Sequence, residues 1–202
     1  LYLIYKDNFF KLGVDFIKNI DKDKWSVLKK MYVADFNCPL ASSMGRLFDG
    51  VASLVLNKPK VNFEAEAAIE LEKLASSYKA EGASYRFKII KEKNMLILDP
   101  GFVFKEVISD LKAKESKERV AFRFHHTVAE MIKRVCLLLR NKTRINEVVL
   151  SGGVFQNNVL LKLSSDLLYE ECFRVFSHKK LSSSDSSIAL GEAAIANFDR
   201  GT

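Results

Sequence analysis

Residues 148–157, VVLSGGVFQN, constrain the fold more than any other stretch of this chain. The β-branched run at residues 147–150 reads as a strand, Ser151-Gly152-Gly153 turns sharply, and a helix is expected to begin near Asn157. A strand that hands over to a helix through two glycines leaves backbone amides at the positive end of the helix dipole, which makes an anion site. Adjacent glycines also admit positive φ and let a phosphate approach the backbone with no Cβ in the way. In open α/β sheets ligands sit beyond the carboxyl ends of the strands, where this turn lies. The plainer alternative is a tight strand-to-helix turn, since a lone glycine pair is weak evidence.

The turn sits in a regular pattern. Helix is expected at residues 158–171, strand at 173–177 and a last helix at 187–198. Strand, helix, strand, helix is the order of a parallel, doubly wound α/β unit. Upstream the texture is helical. Apolar residues recur at helical spacing from residue 8 to about 20 and from 25 to about 33, with Asp21 and Asp23 between them. Ser42 or Ser43 can cap a helix whose buried stripe is Met44, Leu47, Phe48, Val51, Leu54 and Val55. Pro59 closes that helix, and another runs from residue 64 to about 78, ended by Gly82. Residues 85–90 and 95–98 suggest a β-hairpin closed by Pro100 and Gly101, followed by helices from 102 to about 114 and from 117 to about 140. The reading is thus a mixed α/β chain: residues 1–140 mainly helical with a β-hairpin near 85–98, and residues 141–202 an α/β part able to bind a nucleotide.

Composition narrows the class. With 202 residues, 48% of them apolar, the chain can bury a real core. Its longest apolar runs, VASLVL and VCLLL, fall far short of the roughly 20 residues of a membrane helix. No membrane role is expected. The chain starts at Leu1 with nothing like a signal peptide and reads as a piece of a longer protein. Cys38, Cys136 and Cys172 are odd in number and never in a CxxC pair, which fits a reducing cytoplasm and neither a disulfide framework nor a structural zinc. The charge of +7 is scattered through KKM, KEK, KRV, RNKTR and HKK, not gathered into the stripe that nucleic-acid binding favours.

Several side chains could carry chemistry. Asp185 lies in the SSSDSS loop that follows the second strand of the α/β part, so it projects from the same sheet edge as the glycines and could hold a metal on a phosphate or cap the last helix. His178 is near it and is a weak ligand candidate. His125 and His126 point about 100° apart on one helix and cannot readily chelate one ion, so they read as structural. Arg46 and Asp49, spaced i, i+3, share with Ser53 the face opposite the apolar stripe; Glu66 and Glu70 carry like charge at i, i+4. A carboxylate near the start of that helix could accept both hydroxyls of a ribose.

Read together, SSMGRLFDGVASL from Ser42, FEAEAAIELEKLA from Phe63, and LSGGVFQNNVLLKL with the later DSSIALGEAAIA resemble the C-terminal region of HypF, the carbamoyltransferase of nickel-iron hydrogenase maturation. FRFHHTVAEMI resembles the family's stretch before the glycine strand, and the likeness runs from about residue 38 onward. It implies an actin-like (ASKHA) fold shared with the tRNA threonylcarbamoyl transferases, this chain being one subdomain of a larger two-lobed domain. It also implies that the full protein uses carbamoyl phosphate and ATP, passes through a carbamoyl adenylate, and delivers the carbamoyl group to the C-terminal cysteine of its partner HypE. By position, Gly152, Gly153 and Asn157 would hold the nucleotide, Glu64 and Glu66 would lie at the ribose, and Arg46 and Asp49 would line the cleft. Asp185 would ligate a divalent metal, whether iron, zinc or magnesium. No catalytic residue is assigned.

Departures from the family pattern are specific. Glu64-Ala65-Glu66 stands where Glu-Gly-Gln is usual, Ser184-Asp185-Ser186-Ser187 where Asn-Asp-Gly-Gly is usual, and Glu192 where Gln is usual. The family's paired-histidine metal motif has no counterpart in these residues. The alternatives are a tRNA threonylcarbamoyl transferase-like or nucleic-acid-associated module of the same fold, and a scaffold that keeps the fold but binds no ligand.

Overall fold

The structure is a computed structural model that describes residues 1–78 and 83–198. The helix end expected at Gly82 lies outside the described residues. Two compact units divide the chain, Leu1–Phe124 and His125–Thr202.

In the first unit a short α1 (Tyr2–Tyr5) comes first, and the single helix expected from residue 8 to about 20 is instead two short pieces, a 3-10 turn (Lys6–Lys11) and α2 (Asp15–Lys18). Gly13, at φ 73°, breaks the run between the 3-10 turn and α2. Helix α3 (Lys22–Val33) begins where Asp21 accepts hydrogen bonds from the amides of Asp23 and Lys24 at 3.0 and 3.1 Å, so that aspartate starts the helix as its cap. Helix α4 (Met44–Leu56) follows Ser43, which holds the cap position without a side-chain cap bond, and stops at Asn57, a left-handed residue at φ 56°. Helix α5 (Glu66–Ser77) starts two residues later than expected because Ala65 is left-handed at φ 62°.

The hairpin pairs β1 (Lys88–Glu92) antiparallel with β2 (Met95–Asp99), Glu92 opposite Met95. The turn is therefore Lys93-Asn94, and Lys93 takes the positive φ of 50° that a tight hairpin turn demands. Tyr85, expected in the first strand, instead donates its hydroxyl to Asp110 Oδ2 at 2.8 Å. Asp110 sits on α6 (Gly101–Lys112) and also accepts from Arg123 at 2.6 Å, on α7 (Lys117–Thr143). The core of this unit joins Phe48, Val51 and Val55 of α4, Leu71 of α5, Val103 and Val107 of α6, and Val120 and Phe124 of α7, all at most 1% exposed. Each such side chain contributes about 1.5–3 kcal/mol by leaving water. Phe48 and Phe124 meet edge to face, with ring centroids 4.8 Å apart.

In the second unit the alternation read from the sequence is present. Strand β3 (Glu147–Leu150) leads through a 3-10 turn (Gly153–Gln156) to α8 (Asn158–Glu170), and β4 (Arg174–Ser177) returns parallel to β3. A second 3-10 turn (Asp185–Ser187) opens α9 (Ile188–Phe198). Leu150, Leu168 and Phe173 form the core, packed against Ile132, Cys136 and Leu137 of α7. That packing assigns the carboxyl part of α7 to this unit, so the division falls at Phe124/His125, inside a helix, rather than at residue 140 where the sequence texture changes. Arg140 ties the end of α7 down, donating to Glu171 O at 2.7 Å while its guanidinium lies 4.1 Å from the centre of the Phe173 ring. Among the described residues no helix is long and apolar enough to cross a membrane.

Candidate nucleotide site

Parallel pairing sets Leu150 opposite Ser177, so the residues that follow each strand emerge at one sheet edge. Gly152, at φ 100°, begins the turn, in a backbone shape that glycine adopts freely and other residues resist. A Cβ added at Gly152 or Gly153 would meet nothing within 4 Å, so the space beside both glycines is open. Inside the turn, Phe155 N donates to Gly152 O at 3.0 Å and Asn157 N to Val154 O at 3.2 Å. Nothing among the described residues accepts from the amides of Gly153 and Val154. Two adjacent unpaired amides beside open space are the elements of a small anion nest. The nest belongs to the 3-10 turn; the end of α8 itself is occupied, because Asn157 Oδ1 accepts from Leu160 N at 2.8 Å.

The serine loop is knitted to this turn. Gly152 N donates to Ser183 O at 3.0 Å, and Gln156 Nε2 donates to Ser182 Oγ at 3.1 Å. Ser182, Ser184 and Ser186 link hydroxyl to hydroxyl at 2.8 and 2.9 Å, and Ser187 Oγ donates to Ser182 O at 2.8 Å. The structure thus brings Gly152, Gly153 and the Asp185 loop together. Ser186 and Ser187 are not in the left-handed region, so replacing glycines there costs no backbone strain. Asp185 is exposed and caps no helix; its carboxylate has no partner among the described residues. No group of three or more His, Cys, Asp or Glu side chains that could hold a metal occurs among the described residues. Asp185 offers a metal one ligand, and these residues do not by themselves complete a metal site.

Two further contacts went unseen in the sequence. Ser151 Oγ lies 2.9 Å from His178 Nε2, which ties His178 to the turn rather than to Asp185. Asn157 is only 9% exposed, and its Nδ2 lies 2.8 Å from Nε2 of the fully buried His125. Both ends of the Asn157 amide are engaged within the protein, which leaves it to shape the turn.

The other candidates belong to the first unit. Glu66, 7% exposed, accepts at Oε1 from Lys58 Nζ at 2.5 Å and from Asn62 Nδ2 at 3.2 Å, and at Oε2 from the Asn62 amide. The Lys58 ammonium and the Asn62 amide together hold its carboxyl down at about 2. Lys58 also reaches Glu70 at 2.7 Å, so the repulsion expected between Glu66 and Glu70 is relieved by a shared cation. Glu64, on the outer side of this turn, is the carboxylate that remains exposed. Arg46 and Asp49 pair at 3.4 Å on the open face of α4. Ser53 parts from them: its hydroxyl donates to Gly50 O at 2.9 Å, and it lines an apolar hollow with Tyr2, Phe9, Trp25 and Phe104 that touches none of the candidate residues.

Residues 2–192 match the family described as "Carbamoyltransferase, Kae1-like Domain, second subdomain". The carbamoyltransferase HypF of Synechocystis sp. is 30% identical over 154 residues, covering 76% of this chain and 19% of the relative. The probable carbamoyltransferase HypF of Methanocaldococcus jannaschii is 26% identical over 181 residues, covering 88% of this chain and 23% of the relative. Among solved structures, a full-length HypF described as being in the phosphate- and nucleotide-bound form superposes with a TM-score of 0.84 at 35% identity, over 95% of this chain and 25% of that one. The HypF of T. kodakarensis superposes at 0.71 with 21% identity, over 88% of this chain and 23% of that one, a likeness of fold. The chain spans about a quarter or less of the length of these proteins. It belongs to the HypF carbamoyltransferase family, of which it carries the second subdomain of the Kae1-like domain.

Proposed function

We propose that this chain forms the nucleotide-binding wall of a HypF-type carbamoyl transfer domain. The observation that carries this reading is the turn after β3: the amides of Gly153 and Val154 are unpaired and open space lies beside both glycines. A nucleotide phosphate is the chemistry such a nest serves, since it accepts several hydrogen bonds and carries charge that the amide dipoles stabilise. The 35%-identical solved relative is itself described as nucleotide-bound. In this reading Glu64 meets the ribose, Glu66 fastens the segment that carries it, and Arg46 and Asp49 are further nucleotide-side candidates. Asp185 supplies one oxygen ligand to a divalent metal, whose part would be to neutralise phosphate charge. The whole protein then acts in the cytoplasm on carbamoyl phosphate and ATP, passes through a carbamoyl adenylate, and delivers the carbamoyl group to the C-terminal cysteine of HypE.

Isothermal titration of the chain with ATP and Mg²⁺ tests the nucleotide step. Binding is expected, and Gly153→Asp should weaken it at least about tenfold, because the new carboxylate fills the nest and repels phosphate. Absence of heat with ATP or ADP, or a Gly153→Asp variant as good as the parent, would sink the reading. For the transfer step, mass spectrometry of HypE incubated with the full-length protein should show a carbamoylated C-terminal cysteine that the same substitution suppresses.

A further inference from the structure

Asn157 is held from two sides, and the two bonds together decide where a proton sits. Its Oδ1 accepts from Leu160 N at 2.8 Å, which fixes the end of the amide that faces α8. Its Nδ2 therefore faces His125 Nε2 at 2.8 Å, and an amide NH₂ can only donate. His125 Nε2 must then be a bare acceptor, which makes the ring neutral with its proton on Nδ1. Neither group can turn to water for relief, as Asn157 is 9% exposed and His125 0%. The opposite tautomer, or a charged ring, would set two donors face to face where no water compensates. Flipping the amide instead would point its NH₂ at the Leu160 amide and undo the cap.

Asn157 is also the last residue of the glycine turn, since its own amide donates to Val154 O at 3.2 Å. We infer that His125 is a positioning residue for the glycine turn. As a neutral acceptor it locks the Asn157 side chain, the lock keeps α8 capped, and the fixed start of α8 holds the turn in the shape that leaves the Gly153 and Val154 amides unpaired. The tautomer follows from the hydrogen bonds alone; the consequence for ligand binding rests on the nucleotide reading above.

The test has two arms, both on the 202-residue chain. In the first, long-range proton–nitrogen correlation spectra of the His125 ring at neutral pH should show a proton on Nδ1 and none on Nε2, and a proton on Nε2 overturns the inference. In the second, His125→Leu removes the acceptor, whereas His125→Gln returns one as a side-chain carbonyl. ATP–Mg²⁺ affinity is expected to fall about tenfold in the leucine variant and to recover to within about threefold of the parent in the glutamine variant. Equal affinity in all three proteins, or glutamine no better than leucine, overturns it. If the parent binds no ATP, the nucleotide reading has failed, and the Gly153 and Val154 amide resonances decide the positioning claim: displaced by leucine and restored by glutamine upholds it, unmoved rejects it. Should the leucine variant not fold, the tautomer and the glutamine variant still decide.

Discussion

Ala65 occupies a place that suits a glycine. Its φ of 62° lies in the left-handed region, where a Cβ crowds the backbone and costs about 1–2 kcal/mol. Glycine would take this backbone shape freely, whereas Ala65 takes it under strain. Ala65→Gly should raise stability by about 1 kcal/mol, the strain relieved less the extra freedom glycine has in the unfolded chain. Urea unfolding measures it, and a midpoint that stays put or falls would mean the left-handed geometry is not the native one. The same residue sets two candidate carboxylates apart. Beyond the left-handed turn Glu66 is buried beside Lys58 and Asn62, while Glu64 stays outside. The resemblance sets Glu64 and Glu66 together; the sign of one φ angle lies between them.

At the scale of elements, α8 carries a defect that the sequence conceals. Ser164 is fully buried, and its hydroxyl has no hydrogen-bond partner among the described residues. A buried unpaired hydroxyl costs about 1–3 kcal/mol, and alanine is the better helix former. Ser164→Ala is expected to stabilise the chain by about 1 kcal/mol in thermal or urea unfolding; a loss of stability would reveal a partner for the hydroxyl. Elements whose signal is periodic were legible in advance. The α4 stripe puts Phe48, Val51, Leu54 and Val55 in the core as expected, and the strand–helix–strand order after residue 146 predicts the parallel pair β3 and β4. What periodicity does not encode went unread. The break at Gly13 is a single backbone angle inside an otherwise helical pattern. The bridging of Glu66 and Glu70 by Lys58 spans 8 and 12 residues, and the His125 link to Asn157 spans 32. For the site, the glycine turn was legible because strand, glycines and helix are adjacent in sequence. The division of labour within it, with the Gly153 and Val154 amides open and Asn157 committed inward, depends on tertiary partners that no local pattern announces.

For the whole molecule, charge sets the response to acid. The chain carries 32 basic against 25 acidic residues, so at neutral pH it already repels itself, and each carboxylate that takes up a proton increases the excess. Glu66 matters most among those with a resolved partner, because Lys58 and Asn62 lower its carboxyl from the usual 4.5 to about 2. A carboxyl whose folded value is depressed binds fewer protons folded than unfolded. Its stabilisation is complete above pH 4.5 and is lost as the pH falls towards 2. Lys58 serves two carboxylates, so that loss frees one arm of a shared cation rather than an isolated pair. Trp25 is the chain's one tryptophan and lies in the unit that contains Glu66, so its fluorescence follows that unit's unfolding. The urea midpoint read from Trp25 should fall steeply between pH 4.5 and 2 in the parent chain. In Lys58→Met, where the Glu66 carboxyl returns towards its ordinary value, the midpoint should start lower at pH 6 and fall less over the same range. Parallel curves for the two proteins would show that the Lys58 bridge does not set the acid limit, and would hand that role to the general excess of positive charge.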